Sequence, residues 1–159
     1  MLWIAGGCLA IILCGMAASF LGLGGLMWLG SRSPNNADVQ VSAPNSAGVG
    51  DQIQIIITIR NTSTETLELS SIDFSLNYLR GFNILLVEPK YSETSQFDSL
   101  GGGETFQTYY FYRTVEPGDT LIVIFDAVAL FPGDFSGEVD VCIDSDFNCV
   151  TNIPRTIIK

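Results

Sequence analysis

The 159-residue chain contains no histidine. That absence removes the Ser-His-Asp and Cys-His catalytic pairs, the usual general base at neutral pH, and the commonest ligand of zinc and haem. Basic residues are scarce too, with seven Lys and Arg against 17 Asp and Glu, for a formal net charge of −10. The two lysines, Lys90 and Lys159, sit in no nucleotide-binding motif. The run Gly101-Gly102-Gly103 precedes a strand-like stretch rather than a helix, so it reads as a turn and not as a phosphate cradle. A domain this acidic repels phosphate backbones, which argues against nucleic acid as a partner. These absences together predict a chain that is not an enzyme and needs no cofactor.

What is present falls into two parts. Met1 to Gly30 carries no charged side chain, and every Asp and Glu lies from Asp38 onward. As a helix, Leu2 to Leu29 would span roughly 42 Å, more than the ~30 Å hydrocarbon core of a bilayer requires. A cleaved signal peptide would show Lys or Arg before a shorter apolar stretch and a small-x-small site after it. The expectation is therefore one retained N-terminal transmembrane helix over residues 1–30, lying in the lipid bilayer. A short linker over 31–37, broken by Pro34-Asn35-Asn36, follows it, and a domain occupies 38–159. Gly6, Ala10, Cys14, Ala18 and Gly22 recur every four residues and so share one helix face. A row of small residues lets helix backbones approach closely, so this face is expected to pack on other transmembrane helices of a membrane protein complex.

Beyond the linker, strand signals alternate with turn signals. Ile53, Ile55, Ile57 and Ile59 alternate with Gln52, Gln54, Thr58 and Arg60, the pattern of a half-buried strand. Leu67 and Leu69 continue on one parity, and Ile72, Phe74, Leu76 and Tyr78 on the other. A phase change at Ser70-Ser71 suits a β-bulge. Further strands are expected over Phe82–Val87, Phe106–Arg113 and Leu121–Phe131. Phe135, Val139, Val141 and Ile143 alternate again, and Val150–Ile158 closes the domain. Leu121–Phe131 is apolar on both parities and so reads as central. Glu116-Pro117-Gly118-Asp119 and Pro132-Gly133-Asp134 are turns. The fold class that follows is an all-β sandwich of about seven to nine antiparallel strands.

Five stretches carry a family resemblance. They are Val49-Gly50-Asp51-Gln52-Ile53 with Ile57 to Thr62 and Leu67-Glu68-Leu69, then Val115 to Thr120, then Pro132 to Gly137. Together they resemble CARDB-like bacterial surface modules across most of Val39 to Ile143. The resemblance implies an Ig-like extracytoplasmic sandwich used for adhesion, spacing or docking. It implies no catalytic residues.

Cys142 and Cys149 bracket Asp144-Ser145-Asp146-Phe147-Asn148. With Ser145-Asp146 as the hairpin tip, the two cysteines face each other across the ladder. Cys142 shares parity with Glu138 and Asp140, which predicts a cross-strand disulfide on the outer face and hence an oxidising compartment. Arg32 alone would place the C-terminal side in the cytoplasm. The cysteine pair and the sandwich character outweigh it, and the domain is expected outside the cell membrane. Asp144, Asp146 and Asn148 have the alternating spacing of a calcium loop but lack its glycine and its distant glutamate, so no metal is expected there. Asn61-Thr62-Ser63 matches the acceptor pattern for N-glycosylation, against which the bacterial resemblance argues.

Three functions fit these features. The first is an accessory or structural subunit docking on a larger membrane complex, energy-transducing complexes included. The second is an anchored adhesion or ligand-binding module, and the third is a pilin-like filament subunit.

Overall fold

The isoleucine alternation sets the architecture. In the computed structural model, which describes residues 36–99 and 102–159, Ile53, Ile55, Ile57 and Ile59 all point into the core of one compact unit. They lie on β3 (Gln52–Asn61). This strand sits in a four-stranded sheet between β1 (Ala37–Ser42) and β8 (Thr120–Ala129), with β5 (Phe82–Glu88) at the far edge. The second sheet runs β11 (Cys149–Asn152), β10 (Val139–Ile143), β4 (Leu67–Ser75), β7 (Thr105–Val115), β6 (Glu93–Asp98). A small third sheet joins β2 (Ser46–Ala47), β12 (Arg155–Ile158) and β9 (Gly133–Ser136). All pairings are antiparallel except β2 with β12.

The two larger sheets pack face to face as an Ig-like sandwich. Phe125 on β8 meets Phe74 on β4 at 4.8 Å between ring centroids and Tyr109 on β7 at 5.0 Å, both edge-on. Such edge-to-face geometry adds to the stabilisation from burying the rings. As expected, β8 is central, flanked by β3 and β5. The turn after β7 also follows its chemistry. Asp119 N–H donates to Glu116 C=O at 3.0 Å, and Gly118 at φ +82° takes the left-handed position that side chains avoid.

The structure corrects the strand reading in several places. The described residues contain twelve strands rather than seven to nine. The Val150–Ile158 stretch is two strands, β11 and β12, that pair in different sheets and are separated by Ile153-Pro154. Leu76 and Tyr78 do not continue β4. They lie on a single helical turn, α1 (Leu76–Leu79), capped by the Ser75 hydroxyl, which accepts from Asn77 N–H at 3.1 Å. This turn carries the chain from the five-stranded sheet to the edge of the four-stranded one. Burial of Tyr78, whose hydroxyl meets Thr156 Oγ1 at 3.2 Å, overrides the apparent alternation. The pairing of β4 slips at Ser70 against both β7 and β10, as the phase change there predicts.

The first 35 residues lie outside the described set. The predicted transmembrane helix, its face of Gly6, Ala10, Cys14, Ala18 and Gly22, and most of the linker therefore have no structural account here. Among the described residues, no helix is long and apolar enough to cross a membrane.

Candidate functional site

The outer face of the five-stranded sheet is not an ordinary wet surface. Register places Asp140 (β10), Asp73 (β4), Thr108 (β7) and Ser95 (β6) in one cross-strand row. Cys149, Cys142, Ser71, Tyr110 and Glu93 form the row beside it. A cavity of about 220 Å³ opens on these rows, lined by Ser71, Asp73, Thr108, Tyr110, Phe97 and Asp146 among others. Phe147, 82% exposed at the tip of the β10–β11 hairpin, also lines it.

Asp73 is the unusual residue. It is only 6% exposed, and among the described residues Oδ1 has no hydrogen-bond partner. The hydroxyls of Ser71 and Thr108, each 1% exposed, are likewise unpartnered. Burial pushes the Asp73 pKa up to about 6. The nearby Thr108 and Ser71 hydroxyls pull it back in part, although neither reaches hydrogen-bond geometry with the carboxyl. The charges of Asp140 and Asp146 raise it further. Its other oxygen, Oδ2, lies 3.5 Å from Cys142 Sγ. That sulfur is oxidised and has no proton to donate, so the contact leaves the carboxylate uncompensated. Among the described residues, no Arg or Lys lines the cavity. The single ion pair among the described residues joins Asp134 to Arg155 elsewhere in the fold.

The predicted disulfide is formed. Cys142 and Cys149 are direct cross-strand partners with Cα atoms 4.0 Å apart. Cys142 does alternate away from the sandwich interior, but the expectation of an open outer face needs correction, because its side chain is fully buried. The sulfur is enclosed between its bonded partner and the Asp73 carboxyl. The bridge closes a short loop with a sequence separation of 7. Restricting that loop in the unfolded chain stabilises the fold by roughly 2–3 kcal/mol on loop-entropy grounds. Replacing both cysteines by Ala should lower stability by about that amount in urea unfolding under oxidising conditions. No change would mean that the bridge constrains little.

Asp144, Asp146 and Asn148 are placed separately. Asp144 adopts φ +61° and its Oδ1 accepts from Glu68 N–H at 2.8 Å. Asn148 Nδ2 donates to Ile143 C=O at 2.9 Å. Two of the three side chains thus hold the hairpin, and only Asp146 lines the cavity. No group of three His, Cys, Asp or Glu among the described residues is arranged to hold a metal ion. Asn61 is fully buried, with Nδ2 donating to Glu65 C=O and Val115 C=O. A glycan cannot be attached there without dismantling the end of the sandwich.

Sequence reasoning does not single out Asp73, Ser71 or Thr108. A carboxylate alternating with Ile72 and Phe74 looks like any solvated outer position. A second cleft of about 470 Å³ lies by β5, lined by Leu85, Leu86, Val87, Glu88, Lys90 and Tyr91 among others.

No protein-family model matches the chain, and no curated protein is similar to it in sequence. Solved structures do resemble it in fold. AvmM, which catalyses macrocyclization in alchivemycin A biosynthesis, superposes with a TM-score of 0.53 at 8% identity, over 80% of this chain and 90% of that one. The CARDB domain of a Pyrococcus furiosus protein, solved in complex with di-metal ions, gives 0.41 at 10% identity, over 81% and 94%. The Pseudomonas fluorescens alkylpurine DNA glycosylase bound to DNA with an abasic site analogue gives 0.45 at 12% identity. The match covers 78% of this chain and only 30% of the glycosylase. At these identities the likeness is one of fold and not of activity.

Proposed function

We propose that the chain is a non-catalytic, single-pass subunit of the cell membrane. Residues 1–30 anchor it in the bilayer. The sandwich stands on the extracytoplasmic side, where it covers and docks on a larger membrane complex. The observation that carries this reading is the disulfide, because such bridges persist in oxidising compartments and are rare in the cytosol. The uncharged first 30 residues and the lack of any histidine support anchoring and a non-catalytic role respectively. A second reading, an anchored ligand-binding module, is favoured by one feature, the aromatic-rimmed cavity over Asp73.

Purification in mild detergent, followed by mass spectrometry, separates the two. Stoichiometric partners support the subunit reading, and a lone monomer supports the module. Ala10→Ile and Ala18→Ile keep the segment hydrophobic but overfill the small-residue face, at a cost of roughly 1–3 kcal/mol by analogy with soluble cores. Both should lose partners that Leu13→Ile and Leu21→Ile retain. Equal recovery in all four would reduce the segment to a plain anchor.

A further inference from the structure

We propose that the cavity on the outer face of the five-stranded sheet binds a primary alkylammonium group, held by Asp73, Ser71 and Thr108. The proposal goes beyond the membrane-subunit reading and does not depend on it. Its basis is a buried carboxylate with no cation against it among the described residues, beside two buried hydroxyls that make no geometrically formed hydrogen bond. Asp73, Ser71 and Thr108 line one cavity, and their atoms Oδ1, Oγ and Oγ1 are buried beneath its surface without a geometrically formed hydrogen bond among the described residues. Buried polar atoms are nearly always paired; the two hydroxyls can each turn a proton toward Asp73, but they bring no positive charge, so the carboxylate lacks a cation and the hydroxyl lone pairs lack donors. An –NH₃⁺ carries three N–H donors and no acceptor.

The electrostatics point the same way. The groups facing Asp73 are Asp140 from β10, Asp146 from the hairpin, Tyr110 from β7 and, in the adjoining row, Glu93 from β6. Apart from the phenol they are all carboxylates, so the site has no positive charge among the described residues and would repel an anion. A hard metal ion is the poorer fit, because calcium takes six to eight oxygen ligands and no cluster of three acidic residues is arranged here. The aromatic side chains Phe97, Tyr110 and Phe147 favour an organic cation, whose charge is attracted to ring faces. The volume of about 220 Å³ admits a short alkyl chain with its headgroup, but not a nucleotide. Because the three oxygens are closed to water in the free form, side-chain rotation at Ser71 and Thr108 accompanies entry of the ligand.

The ammonium could belong to a free small amine or to a lysine side chain on another protein. Saturation-transfer NMR on the full chain in detergent micelles distinguishes these, with n-butylammonium and Nα-acetyl-lysine methylamide as probes. Binding of both at pH 7.5 assigns the site to lysine, and binding of butylammonium alone assigns it to a free amine. In either case Asp73→Asn should weaken binding at least tenfold, and lowering the pH to 4.5 should do the same by protonating Asp73. Thr108→Val, nearly isosteric and lacking one acceptor, should also weaken it measurably. Butanol, the neutral counterpart, should not compete. The proposal is overturned if neither probe binds, if wild type and Asp73→Asn bind equally, or if butanol competes as well as the amine.

Discussion

Asp73→Asn should stabilise the fold by up to about 3 kcal/mol at pH 7 and above, and change it little at pH 3. The size comes from linkage. Asp73 has a folded-state pKa of about 6 against an ordinary value of 3.8, and each tenfold change in proton affinity corresponds to about 1.4 kcal/mol. The sign follows from which state holds the proton. Between pH 3.8 and 6 the folded chain keeps a proton on Asp73 that the unfolded chain has lost. Stability therefore falls as pH rises through this window and stays low above it. Asparagine has no charge to bury at any pH, so the substitution removes that loss. Thermal unfolding of both proteins from pH 3 to 8, followed by near-ultraviolet circular dichroism, gives the comparison. A pH-independent difference, or a less stable variant at pH 7, would show that Asp73 is already compensated. A natural chain that keeps such a destabilising carboxylate is consistent with a binding role for it, since functional sites are where local stability is given up.

Phe125→Ala should cost about 3–5 kcal/mol, the range for deleting a buried aromatic ring. Phe125 is fully buried on the central strand of its sheet. Its ring packs edge-on against Phe74, Tyr109 and Phe111, at 4.8, 5.0 and 6.4 Å. Three of these four rings come from the opposite sheet, so the loss would open the seam between the layers. Neighbours locked in strands on both sides cannot collapse into the hole, which places the effect toward the upper end. Ile122→Ala on the same strand is the control. That side chain is 50% exposed on the outer face, and its removal should cost under about 1 kcal/mol. Chemical denaturation midpoints decide the matter. Similar losses for both variants would mean that the aromatic cluster does not hold the sheets together.

The parts of the fold that are legible in sequence are those where apolar and more polar side chains alternate along a strand. Ile53 to Ile59 on β3 and Val139, Val141 and Ile143 on β10 announce their inner faces by alternation alone. The cysteine pairing is legible for the same reason, since period-two geometry and a tight hairpin fix which residues face each other. The strand β6 is not. Glu93 to Asp98 is exposed along its whole length and pairs on one side only, so no burial pattern marks it. That omission also hides the site. Ser95 and Phe97 on β6 form one wall of the cavity over Asp73, and without them the carboxylate reads as solvated. The turn at Leu76–Leu79 misleads differently. Leu76 and Tyr78 satisfy a strand period, but the chain leaves the sheet after Ser75, and tertiary packing of Tyr78 decides the local conformation.

Protease treatment of intact protoplasts compared with lysed cells tests the central claim most directly. The account predicts that the chain stays with carbonate-washed membranes and that its sandwich, probed with an antibody to the C-terminus, is digested without lysis. Full protection until lysis, or recovery of the chain in the soluble fraction, would contradict it.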